Sequence, residues 1–358
     1  MTKAVAAASV PKHRRGWVLG LAVCLGLVTT ILLAVGHRQV GYVRDEGIYF
    51  VAGRSYATWV VDAVAGRGKA RTLVARDRAF AINREHPALM KTVAGLSAKL
   101  LAEPPHDPKT GAAGPVTGGG ALPLMPEGAA MRLPAQVLAG FSVSLLFLLG
   151  VRIGRSLVAG LLAAGAWIAL PRVWFHAGLH CFDIPVAVVG LVCTLVYYKS
   201  LRNWRYGLAL GPLLGVAIAV KHNALFLPFL FGLHHIVCLC MELWQRPEAR
   251  TRQIWLRACS LPFVSMAVLG PVTALALWPW MWTDTWNRIN QYFAFHLHHS
   301  WYNMEFLQVN YNKPPLPVHY PAVLTWATVP TCLLLLAGAG LVFLLWRDVV
   351  AARRKPTT

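Results

Sequence analysis

Apolar residues in this chain come in runs too long for a soluble helix or strand. Taking each run of roughly twenty residues as a bilayer crossing gives about eight spans. They lie near 17–36, 133–151, 156–172, 184–200, 205–221, 223–243, 258–280 and 321–346. The connections alternate in character. Lys12, Arg14 and Arg15 precede the first span, and Arg152 and Arg155 separate the second from the third. Lys199, Arg202 and Arg205 separate the fourth from the fifth; Arg246, Arg250, Arg252 and Arg257 separate the sixth from the seventh. Arg347, Arg353, Arg354 and Lys355 follow the last. Every second connection is basic, so the positive-inside rule puts both termini in the cytoplasm.

The other connections are then external. The first, His37 to Arg132, is long. Within it Ile48–Val64 reads as an amphipathic helix lying on the membrane surface, and Ala88–Leu101 as a second helix. Residues 103–127 are rich in Gly and Pro. Thr283–Tyr320 is aromatic and rich in histidine. No internal repeat is visible. The predicted fold is an all-α polytopic helix bundle: a cytoplasmic tail 1–16, a transmembrane domain 17–346 with external loops 37–132 and 283–320, and a cytoplasmic tail 347–358.

Composition supports the membrane reading. The chain is 56% hydrophobic and only 13% charged, with mean hydropathy +0.51. A soluble domain carries about 25% charged residues. The 14 Trp and 10 Tyr suit a protein with two membrane interfaces. The N-terminal basic stretch and the run Trp17–Val35 resemble a signal peptide. The run is too long for one, however, and His-Arg-Gln follows it instead of a cleavage site, so it reads as an uncleaved span. The net charge of +20 sits mostly in short loops, where topology and anionic headgroups account for it. No zinc-finger spacing, RNP motif or basic–aromatic stripe points to nucleic acid. The 7 cysteines show no CxxC and fall mainly inside apolar runs, as packing residues do.

The candidate chemistry falls in the external connections. Asp45-Glu46 could supply a general base, or could simply be an acidic pair at a helix N-terminus. Glu85-His86, with Lys91 beyond, offers a carboxylate and an imidazole to a shared site or metal; Pro87 equally marks a helix start. Asp183 is a lone carboxylate where a span begins, either functional or a cap followed by Pro185. Lys221-His222 occupy a tight turn, where a cation can bind phosphate or snorkel to the interface. His296, His298 and His299 could ligate a divalent metal, or populate an aromatic interface.

In order and spacing these pieces resemble the polytopic lipid-phosphate-dependent glycosyltransferases of the protein O-mannosyltransferase and aminoarabinose-transferase type, glycosyltransferase family 39, which have the GT-C architecture. Asp45-Glu46-Gly-Ile-Tyr49 resembles the acidic motif of their first external loop. Glu85-His86-Pro87-Ala-Leu, Arg132, Pro171, Asp183-Ile-Pro185 and Val220-Lys221-His222-Asn-Ala-Leu resemble their later blocks. Trp278-Pro-Trp-Met-Trp282, the His-rich stretch and His319-Tyr-Pro321 are similar to the block that follows. The likeness covers most of residues 40–330.

The resemblance implies inverting transfer of a sugar from a polyprenyl-phosphate carrier to a lipid, glycan or protein acceptor, on the external face of a bacterial inner membrane. It implies Asp45, in the pair with Glu46, as the catalytic base, and Lys221, Arg132 and Lys91 as cations for the departing phosphate. Asp183 would position sugar or metal, Tyr49 would line the cavity, His222 would join the substrate-binding residues, and Glu85 with a histidine of 296–299 would hold a metal. Neither GxGxxG nor Walker A occurs, so no nucleotide cofactor is expected. The chain is shorter than many such enzymes. A transporter or flippase of lipid-linked substrates, and an inactive relative acting as a scaffold, are the alternatives.

Overall fold

The computed structural model describes residues 12–43, 45–104, 119–245, 260–298 and 300–353. Among the described residues there are 14 helices, about 75% of the structure is helical, and the chain is an all-α, multi-pass membrane protein. In chain order they are α1 (Lys12–Gly36), α2 (Glu46–Val64), α3 (Leu73–Phe80), α4 (Leu89–Leu101), α5 (Glu127–Gly154), α6 (Leu157–Ile168) and α7 (Pro171–Gly178). Then come α8 (Asp183–Ser200), α9 (Trp204–Val220), α10 (Leu227–Gln245), α11 (Leu261–Ala276), α12 (Thr285–Leu297), α13 (Tyr320–Thr328) and α14 (Thr331–Arg353). Short 3-10 turns at His222–Phe226 and Pro279–Trp282 lead into α10 and α12. A hairpin pairs Met304–Phe306 with Val309–Tyr311 across Leu307 and Gln308, both at positive φ.

Local chemistry sets many of the boundaries. Thr72, Ser156 and Asn203 accept backbone N–H groups at the starts of α3, α6 and α9. Asp45 stands at the N-cap of α2 but makes no capping hydrogen bond, while Glu46 occupies the first turn, where the helix dipole favours a carboxylate.

Among the described residues four helices are long and apolar enough to cross a membrane: Arg15–Gly36, Glu127–Gly154, Asp183–Ser200 and His222–Met241. The number rises to six if two bent pairs are each one span. The predicted span 156–172 breaks into α6 and α7 with a bend of 69°, and 321–346 lies across α13 and α14 with a bend of 114°. Both breaks fall just before a proline, Pro171 or Pro330. Proline disfavours helical backbone in the residue ahead of it, and Leu170 and Val329 are extended. α9 and α11 are shorter apolar helices of 17 and 16 residues.

The bundle packs through small residues. A Cβ at Gly95 would lie 2.0 Å from the Gly53 carbonyl oxygen, so α2 and α4 touch backbone to backbone. α9 and α11 meet as closely, with Gly211 against Ser265 and Gly215 against Gly270. Such contacts hold helices together where lipid removes the hydrophobic drive between them. The outer faces are strongly apolar: Phe229, Leu230 and Leu233 on α10 and Leu335 and Leu336 on α14 are exposed, as lipid-facing residues are.

Candidate functional site at one end of the bundle

The polar residues converge where α1 and α9 end and α5 and α8 begin. At the centre lies an ion pair between α2 and α5. Glu46 and Arg132 are both buried. Arg132 Nε donates to Glu46 Oε1 at 2.9 Å and Nη2 donates to Oε2 at 2.6 Å. The remaining guanidinium N–H groups reach the carbonyls of His37 and Val40 from Nη1 and of Gly41 from Nη2. Glu46 also accepts the backbone N–H of His180 at 2.7 Å and of Val43 at 3.1 Å. Burial acts to raise the Glu46 pKa, but Arg132 and the two backbone donors outweigh it, and the net shift is downward.

This geometry corrects two sequence expectations. All five N–H groups of Arg132 are spent on protein acceptors, so the residue has no donor for a departing phosphate. Glu46 accepts four hydrogen bonds and is held ionised, which suits a structural clamp and not a base. The pair ties the chain after α1 and the segment before α8 to the N-terminal turns of α2 and α5.

Lys91 is likewise committed. It is fully buried, and Nζ donates to Asn83 O at 2.5 Å, Asn83 Oδ1 at 3.0 Å and His86 O at 3.0 Å. Its ammonium also lies 5.2 Å from the centre of the Tyr56 ring. Burial drives its pKa down to about 7, against the opposing pull of Glu85. Lys91 therefore braces the 83–86 turn, where Asn83 has φ 52° and donates to Glu85 at 2.6 Å. Tyr56 adds a hydroxyl hydrogen bond to the Ile82 carbonyl.

Around this scaffold stand the other candidate groups. Asp45 is exposed at the head of α2. Asp183 is exposed in the first turn of α8 and accepts Lys221 Nζ at 2.6 Å. His222 Nδ1 lies 3.0 Å from the Tyr292 hydroxyl, and its ring centre is 4.4 Å from that of His296. His296 Nδ1 is 2.9 Å from the Tyr292 carbonyl, so it carries the proton and leaves Nε2 as the acceptor. The phenol of Tyr49, largely buried, has its pKa raised first by burial and then by the charges of Asp45, Asp183, Cys181 and Glu85. His86 is lowered to about 4, first by burial and then by Lys91, with Glu85 opposing and His296 and Lys221 adding to the shift. Asp45, Tyr49, Glu85, His86, Asp183, Lys221 and His296 thus share one electrostatic neighbourhood, drawn from the loops 37–132 and 283–320 and from the ends of α8 and α9.

The metal expectation fares less well. Among the described residues no three His, Cys, Asp or Glu side chains are grouped to hold a metal ion. Glu85 is bonded to Asn83, and His298 is exposed with Nδ1 against the Ala294 carbonyl. His299 lies outside the described residues.

Several participants went unnoticed in the sequence. His180 is completely buried with both ring nitrogens unpartnered, and burial pushes its pKa to about 4. It is boxed by Tyr49, Phe50 and Phe182. Asp77 joins the loops 37–132 and 283–320: Arg288 Nη2 donates to it at 2.7 Å and Arg76 Nη2 at 2.8 Å. Those hydrogen bonds, Arg288 first, take its pKa to about 2. The His-Cys dipeptide before Asp183 was a visible cue to His180; nothing in the spacing paired Asp77 with Arg288, 211 residues away.

Compared with known proteins, the chain matches no family model, no curated protein and no solved structure.

Proposed function

We propose that the chain is a membrane glycosyltransferase that moves a sugar from a polyprenyl-phosphate carrier to an acceptor hydroxyl or amine, with inversion, on the face of the membrane opposite the cytoplasm. The observation that carries this reading is the exposed Asp45 carboxylate beside the buried Glu46–Arg132 clamp; Asp45 and Asp183 both act on Tyr49, and Asp183 accepts Lys221 Nζ at 2.6 Å. The clamp fixes the head of α2, and with it the position of Asp45.

In the proposed step the acceptor oxygen or nitrogen attacks the anomeric carbon, and its proton passes to Asp45. The bond from that carbon to the phosphate oxygen breaks, and the electron pair leaves on the phosphate. In this proposal Lys221, whose ammonium is held by Asp183 at 2.6 Å, offsets that charge. Arg132 and Lys91 keep the site in shape and do not touch phosphate.

The eight-span topology belongs to the same proposal. It counts α9, α11 and each bent pair as crossings beside the four long helices. Both termini then lie in the cytoplasm and the polar end of the bundle faces out, in the plasma membrane.

The test supplies purified protein in detergent with a panel of labelled polyprenyl-phosphate sugars and a membrane extract. Label entering a lipid, glycan or protein fraction is the expected result. No label from any donor, in protein shown to be folded, would overturn the assignment in favour of a transporter or an inactive relative.

A further inference from the structure

A basic ledge on the external loop has no part in the site. Residues 64–78 carry Arg67, Lys69, Arg71, Arg76 and Arg78. Arg76 is buried against Asp77, whereas Arg67, Lys69, Arg71 and Arg78 are exposed. Standing among them are exposed apolar side chains: Val64 at 79%, Val74 at 71% and Leu73 at 60%. Val74 and Arg78 are one turn apart on α3 and share a face.

The ledge is a built element. Arg71 Nε donates to the Ala63 carbonyl at 2.8 Å, closing the chain back onto the C-terminus of α2. Trp59 Nε1 donates to the Ala70 carbonyl at 2.8 Å. Its depth is fixed by the end of apolar α11. Trp282 Nε1 donates to Leu275 O of that helix at 2.8 Å. Arg76 lies 5.8 Å from the Trp282 ring centre, and the Trp59 ring centre is 6.3 Å away. Trp286, 73% exposed, follows close behind. The ledge therefore stands at the level where α11 stops being apolar and tryptophans begin, which is headgroup depth for a spanning helix.

From this arrangement we infer that residues 64–78 form an interfacial anchor for anionic phospholipid headgroups of the external leaflet. The inference rests on α11 being a crossing, as proposed above. The cations match lipid phosphates, and Val64, Leu73 and Val74 reach the acyl boundary beneath them. A soluble polyanion would match the cations alone and leave three large apolar side chains in water.

The test places the photoreactive residue p-benzoylphenylalanine at position 74, or at Val268 on the exposed face of α11 as a control. The full chain is reconstituted in vesicles of phosphatidylcholine, or of equimolar phosphatidylcholine and phosphatidylglycerol. Lipid adducts at 74 are expected to rise with phosphatidylglycerol. Neutralising Arg67, Lys69 and Arg78 to Gln should remove that rise, by about fivefold for each charge lost. Adducts at 268 but none at 74 would overturn the anchor and leave the span intact. Adducts at neither would overturn the span reading and the anchor with it. Protein instead of lipid adducts at 74 would show a protein partner and overturn the proposal.

Discussion

Glu46 and Arg132, like Lys91, are charged residues whose sequence context suggested chemistry and whose structure shows architecture. A buried pair of this kind is costly to break from one side, since the survivor is left charged and unpaired. Arg132→Met is expected to lower stability by about 3–5 kcal/mol, and the double variant with Glu46→Met to recover part of that loss. Thermal unfolding in detergent checks both; equal loss in the single and double variants would refute the clamp. His86 and His180 give a pH signature. Both have folded pKa values near 4, below the unfolded value of about 6.5, so the unfolded chain binds more protons between the two. Stability should hold above pH 6.5 and fall as pH drops from about 6.5 towards 4. His180→Phe should flatten that slope, and an unchanged slope would show that His180 is not its source.

Helices and close contacts respond differently to inspection of the sequence. The residue types in α2 and α4 were enough to place both, because apolar positions recur at helical spacing and Pro87 marks a start. Their backbone contact at Gly53 and Gly95 was not legible, since nothing local distinguishes a packing glycine from a permissive one. A Cβ at Gly95 would meet the Gly53 carbonyl at 2.0 Å, inside any tolerable contact. Gly95→Val is therefore expected to cost about 1–3 kcal/mol by overpacking, seen as a lower melting temperature and yield. Gly165→Ala is the comparison, because open space surrounds that position and its melting temperature should not fall. The bends at Pro171 and Pro330 were readable in hindsight from proline's effect on the preceding residue, yet hydropathy alone ran straight through them.

For the molecule as a whole, alternation of basic connections located the candidate residues on one side before any contact was known. The structure brings Asp45, Glu85, Asp183, Lys221 and His296 into one neighbourhood. Spacing could say which end they share but not which of them are spent on one another, because hydrogen-bond saturation is a property of the assembled fold. Hence Arg132, Lys91 and Glu46 pass to the scaffold, and Lys221 is found paired with Asp183 at 2.6 Å. The topology has its own check: a cysteine at the exposed Gln39 should react with an impermeant thiol reagent added outside intact cells, and one at Arg202 should not. The opposite pattern would invert the orientation.

The most direct test of the account compares sugar transfer by Asp45→Asn with the wild type, at matched protein level and melting temperature. A lost general base should lower transfer by about a hundredfold or more while donor binding is retained. Transfer at the wild-type rate would contradict the account, because the scaffold would then be holding Asp45 in place for no chemical purpose.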